Sequence, residues 1–305
     1  MEPIIVIVGF LGTGKTTLLQ RLTKDYLNLN WNPWVILNDY QNASIDSQRF
    51  LDLLPREVVN PLNGSCICCS GVNELREIVN DIPKREKGVT LIEANGTTDA
   101  CTLMGFLGVG LNDNFLPPIQ ISIVDVRNWQ KRGEYNQLES SQIQVSSLIV
   151  LNFTQELTAD QNASIRADIQ QHNPEAEIRT FDEIDALWLP GLQPSQNKPK
   201  QIDHQKSHWA SCSVDLPDSI DSSRLDRIMK ELPKSILRVK AITRLNNDAH
   251  YSMVEKTPTG EITIRKYNNR LLSGPKFLTI GPGSDPGQIQ YLVNKEIQDA
   301  NIFCQ

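Results

Sequence analysis

Gly9-Phe10-Leu11-Gly12-Thr13-Gly14-Lys15-Thr16-Thr17 satisfies G-x-x-x-x-G-K-[ST], a spacing that serves phosphate. Gly9, Gly12 and Gly14 let the backbone turn tightly, so that successive N–H groups face phosphate oxygens. Lys15 is placed to act as a point charge on the β- and γ-phosphates, and the Thr16 hydroxyl as a ligand of Mg²⁺. An apolar strand-sized run precedes the loop and a helix-forming stretch follows it, which is the context the motif requires. The helix start adds the positive end of its dipole. These residues predict binding of a nucleoside triphosphate with magnesium, with Thr13 and Thr17 as further parts of the phosphate cradle.

A second element is Val89-Thr90-Leu91-Ile92-Glu93-Ala94-Asn95-Gly96. An apolar strand ending in an acid, in a chain that carries a phosphate loop, places Glu93 to hold a magnesium-bound or attacking water. The Gly96 N–H is then available to the γ-phosphate. A solvent-facing acid at a strand end is the bland alternative. Asp125 also ends an apolar run, and reads as an N-cap or surface acid with no assigned role.

Asn63-Gly64-Ser65-Cys66-Ile67-Cys68-Cys69-Ser70-Gly71 crowds three thiols between two glycines. Adjacent cysteines are poorly placed to bridge one another. Three thiolates converging on one ion suit Zn²⁺, which usually takes four ligands and would keep one position open for exchange. Soft thiolates also accept Cu(I), and a redox centre or buried, inert cysteines remain alternatives. Cys101, Cys212 and Cys304 are solitary and read as packing residues. His204 and His208 lie four residues apart without a third ligand and read as solvated.

The chain of 305 residues is 39% hydrophobic and 22% charged, with a net charge of −6. That balance describes an ordinary soluble protein long enough for two domains. It lacks the basic stripe of a nucleic-acid binder and an apolar run long enough to span a membrane. With no signal-peptide pattern at the N-terminus, the expected location is the cytoplasm. Short β-branched runs at 4–8, 34–38, 89–93, 119–124 and 148–152 alternate with helical stretches at 15–27, 73–81 and 159–171. This alternation predicts βαβ units and a mostly parallel sheet of the P-loop NTPase type over residues 1–181. Pro190, Gly191, Pro194 and Pro199 among Asn, Gln and Lys mark 182–207 as a linker. Residues 208–305 then read as a smaller α+β domain, with strands at 209–216, 237–243, 251–256, 261–267 and 276–280, helices at 222–231 and 287–299, and a hairpin turn at 257–260.

A phosphate loop followed by C-x-C-C ahead of the Glu93 strand resembles the CobW family of metal-linked P-loop GTPases, relatives of the nickel-insertion GTPases. The resemblance covers nearly the whole chain. GFLGTGKTTLL is similar to that family's phosphate loop, and Asn38-Asp39-Tyr40 to its switch segment. NGSCICCSG is similar to its Asn-Gly-Cys-x-Cys-Cys motif, Glu93-Ala94-Asn95-Gly96 to its Glu-x-x-Gly, and 232–240 to a segment of its C-terminal domain. Membership implies GTP hydrolysis coupled to handling of Zn²⁺ or another transition metal for a client metalloprotein, with a nucleotide-dependent homodimer as a further expectation. On that resemblance Lys15, Asp39 and Glu93 are the catalytic set. Thr16, Asp39 and Glu93 hold Mg²⁺, Cys66, Cys68 and Cys69 hold the cargo ion, and Asn152 belongs to the base site. A nucleotide-dependent scaffold with little hydrolysis, or a P-loop kinase acting on a small molecule, are the alternatives.

The chain departs from the family pattern at three places. Asp39 stands where the family has Glu, and Gln41-Asn42 replace its Gly-Glu. The base motif Asn-Lys-x-Asp is here Asn152-Phe153-Thr154-Gln155, with only Asn intact. GTP is therefore expected to be preferred over ATP only modestly, with ATP as a second ligand.

Overall fold

The computed structural model describes residues 1–38, 50–62, 71–197, 211–236, 238–256, 260–267, 274–281 and 284–298. Asp39, Cys66, Cys68, Cys69, Cys304, His204, His208 and the turn residues 257–259 lie outside them. The chain divides into two compact units, Met1–Ser207 and His208–Gln305.

The first unit is built on strands β1 (Ile4–Val8), β2 (Asn32–Asn38), β3 (Val59–Leu62), β4 (Gly88–Glu93), β5 (Ile119–Asp125), β6 (Leu148–Asn152) and β7 (Glu177–Thr180). They form one sheet in the order β3-β2-β4-β1-β5-β6-β7, and every pairing in it is parallel. Helices α1 (Lys15–Asn28), α2 (Gly71–Asp81), α3 (Ala100–Leu107), α4 (Asn136–Gln144) and α5 (Ala159–His172) connect them. Alternation along the strands sorts the two faces. Ile5, Ile7, Val35, Leu37 and Leu91 pack with Leu18, Leu19, Leu22 and Tyr26 of α1. Ile4, Val6, Val8, Ile36 and Ile92 pack with Leu75 and Val79 of α2 and Leu103 and Leu107 of α3. Central strands apolar on both faces are what a parallel sheet covered by helices demands.

Four elements of this unit carry weak sequence signals. Strand β3 contains Asn60 and Pro61; as an edge strand paired only to β2 it tolerates the missing N–H. Helix α3 is apolar nearly all round, α4 is rich in Ser and Gln, and β7 is four residues long. The linker expectation also needs correction. Ile184, Ala186 and Leu189 are buried in the same cluster as α1, with Trp188 and Leu192 packed against it. Arg21 of α1 donates to the carbonyls of Phe181 and Ile184, the second at 2.9 Å. Prolines and glycines end regular elements here without releasing the chain from the core, so residues 182–192 are part of the first unit.

The second unit carries an antiparallel sheet from β8 (Ser211–Asp215), β10 (Arg238–Leu245), β11 (Tyr251–Lys256), β12 (Ile262–Lys266) and β13 (Lys276–Ile280), in the order β12-β11-β10-β13-β8. The short strand β9 (Ser219–Ile220) pairs parallel with β10. Helices α6 (Ser222–Glu231) and α7 (Pro286–Gln298) close one face, where Leu225, Ile228, Ile289 and Val293 meet Val239, Ala241, Val254 and Phe277. No helix among the described residues is long and apolar enough to cross a membrane.

Candidate nucleotide and metal site

Parallel strands deliver their carboxyl ends to one edge of the sheet, and ligands of open α/β sheets bind there. The phosphate loop leaves β1 at that edge. Gly9, Gly12 and Gly14 all have positive φ. At Gly14 (φ +103°) a Cβ would lie 2.5 Å from Asn152 Nδ2, so glycine serves both the turn and the close approach of a neighbouring strand end. Lys15 is only 5% exposed, and its Nζ donates to the carbonyls of Gly9 (2.9 Å) and Phe10 (3.0 Å). The ammonium is thus already inside the loop, on acceptors that phosphate oxygens would replace. Thr13 Oγ1 donates to the Phe10 carbonyl at 3.0 Å, pinning the turn. Thr16 Oγ1 donates to Glu93 Oε1 at 2.8 Å, while Thr17, the next residue of α1, faces solvent. The expected magnesium oxygens of Thr16 and Glu93 therefore meet, although 77 residues apart in sequence. They are hard donors of the kind Mg²⁺ takes. Asp39, the third expected ligand, lies outside the described residues.

Gly96 sits against the phosphate loop. A Cβ there would come within 2.3 Å of Leu11 Cδ2 and 2.8 Å of the Leu11 nitrogen, so any side chain would push the two segments apart. Gln142 of α4, itself buried, holds the Gly96 and Thr98 carbonyls at 3.2 and 3.1 Å. Asn95 Nδ2 donates to Asn38 Oδ1 at 3.2 Å, while Asn95 Oδ1 accepts from Thr97 N and Oγ1. Behind the loop, Arg132 stacks on the Phe10 ring at 4.3 Å. Its Nε donates to Glu139 at 3.0 Å, and both side chains are buried. Burial pushes the Glu139 carboxyl upward, against the opposing pull of Arg132.

The base end is organised around Asn152. Its Nδ2 donates to the Thr13 carbonyl at 2.9 Å, and its Oδ1 accepts from Phe153 N at 2.9 Å. The amide is thus engaged in tying β6 to the phosphate loop, where the family resemblance places it in the base site. Phe153 has a left-handed backbone (φ 64°) and opens the turn Thr154–Glu156, which Asn162 of α5 grips through the Thr154 carbonyl at 2.8 Å. Arg127, just beyond β5, lies over the Phe153 ring with its guanidinium carbon 3.6 Å from the centroid. Asp125 accepts from Arg127 Nε (2.9 Å) and Nη2 (3.0 Å), and Glu156 from Nη1 at 3.0 Å. These carboxylates, Asp125 foremost, raise the guanidinium above its ordinary pKa. Asp125, expected to be a cap or surface acid, is 4% exposed; it accepts from Arg127 N at 3.1 Å, as a capping acid does, and also anchors the Arg127 side chain. Arg127, Asn95 and Gln142 escape motif reading because each acts through tertiary contact. The replacement of the motif lysine by Phe153 was the one sequence signal pointing to a missing cation.

Residues 3–180 match the model of the CobW/HypB/UreG nucleotide-binding domain. The chain belongs to this family. Among CobW relatives, the zinc chaperone YjiA of Escherichia coli (strain K12) is 27% identical over 253 residues, covering 76% of this chain and 78% of that protein. The zinc chaperone CobW of Pseudomonas aeruginosa is 23% identical over 290 residues, covering 80% and 77%. The crystal structure of Zn(II)-bound YjiA GTPase from E. coli aligns over 96% of this chain and 98% of its own, at 17% identity and a TM-score of 0.44. Of the solitary thiols, Cys101 is partly buried, and burial foremost pushes it up to about 12. Cys212 is buried against Thr279 Oγ1 at 3.2 Å. Both suit the packing role expected of them. The cluster Cys66, Cys68 and Cys69 lies outside the described residues.

Proposed function

We propose that this protein binds GTP with Mg²⁺, hydrolyses it, and uses the nucleotide state to control the holding and hand-over of Zn²⁺ to a client metalloprotein in the cytoplasm. The observation that carries this reading is the order of strand ends. Leu62 of β3 is paired with Asn38 of β2, Leu37 with Glu93 of β4, and Glu93 with Ile7 of β1. The chain segment bearing Cys66, Cys68 and Cys69 continues from Leu62, and the segment bearing Asp39 continues from Asn38. The described ends from which these segments continue, Leu62, Asn38, Glu93 and Val8, thus belong to four adjacent strands, β3, β2, β4 and β1. The Asn38–Asn95 hydrogen bond further ties the start of the switch segment to the Gly96 loop.

In this reading Lys15 transfers from the Gly9 and Phe10 carbonyls to the β- and γ-phosphates. Asp39 and Glu93 orient the attacking water, and the Gly96 N–H meets the γ-phosphate. Magnesium held by Thr16, Asp39 and Glu93 would neutralise charge on the phosphate oxygens. Contact with the γ-phosphate pulls on the Gly96 loop, and through Asn95 on Asn38, which pairs with Leu62, the last described residue before the thiols in sequence. The names of the relatives, zinc chaperones with a family model that spans the nucleotide domain, support zinc as the cargo.

The test is a Zn²⁺ titration against a chromophoric chelator, with the protein loaded with GDP or with a non-hydrolysable GTP analogue. The expected difference in zinc affinity is about tenfold or more, a coupling of about 1.4 kcal/mol. Affinity should fall with decreasing pH in both states, because binding releases thiol protons. Ser at Cys66, Cys68 or Cys69 should weaken it by orders of magnitude, whereas Cys101→Ser should not. Equal affinities in the two nucleotide states would end the coupling, and a triple Ser variant with parental affinity would end the site.

A further inference from the structure

The base motif has lost its lysine at Phe153, yet a cation stands on that very ring. We infer that Arg127 restores the motif's missing charge from just beyond the neighbouring strand, so that the Arg127–Phe153 stack is the platform for the nucleotide base. This rests on the nucleotide-site reading above.

Three observations place the platform. First, Phe153 follows directly on Asn152, whose amide is bonded to the Thr13 carbonyl of the phosphate loop. The ring therefore follows immediately on the residue bonded to the loop, and Phe153 itself has a left-handed backbone. Second, the guanidinium is held by four charge-assisted bonds to two carboxylates, Asp125 at the end of β5 and Glu156 in the Thr154–Glu156 turn. Such bidentate pairing fixes orientation as well as charge. Third, Asp125 is paired in register with Asn152, so the anchor of Arg127 and the start of the base motif are neighbours at the same edge. A planar cation on an aromatic face is a favourable stack, and every purine or pyrimidine has a π-face to offer it. A lysine at position 153 would bring its cation from within the motif; here the ring comes from the motif and the cation from just beyond β5.

The platform is indifferent to the hydrogen-bonding edge of the base. Arg127 should therefore govern affinity for nucleotides in general while leaving the GTP-to-ATP ratio alone.

The experiment compares wild type, Arg127→Ala, Phe153→Lys and the double variant, with GTP, ATP and inorganic tripolyphosphate at equal magnesium. Arg127→Ala is expected to weaken GTP and ATP alike by about tenfold, with tripolyphosphate unchanged because it has no base. The double variant is expected to recover most of that loss, since the introduced lysine brings the cation back to its motif position. Unchanged GTP affinity in Arg127→Ala overturns the inference. So does an equal loss for tripolyphosphate, which would make Arg127 only a prop of the phosphate loop, and so does failure of the double variant to recover. If the wild type binds neither triphosphate nor tripolyphosphate, the nucleotide-site reading itself fails and takes this inference with it.

Discussion

At the phosphate end of the site, the groups meant for ligand follow one another in sequence: the turning backbone, the Lys15 ammonium and the Thr16 hydroxyl. At the base end, only Asn152 survives from the motif. Its neighbour is an aromatic ring, the cation comes from just beyond β5, and Asp125 and Glu156 hold that cation in place. The phosphate end is local and the base end is tertiary. The contrast follows from what each ligand part needs. Phosphate oxygens are met by backbone N–H groups that only a particular turn can aim, so the residues must be contiguous. A base needs a flat surface and edge donors, which several strand ends can supply between them.

The largest effect should come from breaking the local end. Lys15→Ala removes a buried ammonium directed into the loop. Triphosphate affinity is expected to fall at least about a hundredfold, about 2.7 kcal/mol, with little change in the unligated melting temperature. Calorimetry giving parental affinity would remove the phosphate assignment.

A smaller effect is expected at the contact between the phosphate loop and the segment that follows Glu93. Gly96→Ala would force a methyl into Leu11. Overpacking of this kind costs about 1–3 kcal/mol. Triphosphate affinity should drop about tenfold, and diphosphate affinity by much less, because the displaced N–H is the one assigned to the γ-phosphate. An equal drop for both nucleotides would mean that Gly96 only supports the loop.

The same contrast explains what could be read from sequence. Strands β1 and β6 and the start of α1 were legible to the residue, because β-branched runs and a phosphate motif are short-range signals. Thr16 and Glu93 are named together from sequence, and the structure joins them by a hydrogen bond. Strand β3 was not, because Asn60 and Pro61 disguise an edge strand. Nor was the packing of residues 182–192, where apolar side chains spaced among prolines find a helix face that no local pattern announces. Asp125 was seen but its use was not. A buried acid and a solvent-facing one look alike in sequence, and burial together with its bonds from Arg127 and Asn128 distinguishes this one.

The smallest effect, and the one that most sharpens the contrast, is base choice. In a motif ending in Asp, the carboxylate accepts from guanine N1–H and the exocyclic amine together. Here Gln155 occupies that position and is exposed. A neutral amide oxygen accepts more weakly, since charge-assisted hydrogen bonds are roughly twice as strong, and its NH₂ opposes the guanine donors unless turned away. Glu156, the next residue, keeps both its oxygens near Arg127 Nη1, at 3.0 and 3.1 Å, so its charge is committed to the platform. The Asn152 amide is likewise committed to Thr13 and to the Phe153 N–H. What remains is the weaker acceptance by the Gln155 amide, which favours guanine slightly, and stacking, which adenine shares. GTP is therefore expected to be preferred over ATP by about tenfold, or about 1.4 kcal/mol. Gln155→Asp should widen that ratio by a further tenfold or so, leaving ATP affinity nearly unchanged. Competition between the two triphosphates at equal magnesium measures both. A wild-type ratio above a thousandfold would mean that another residue reads guanine, and a preference for ATP would remove guanine from the reading while leaving the phosphate end as described.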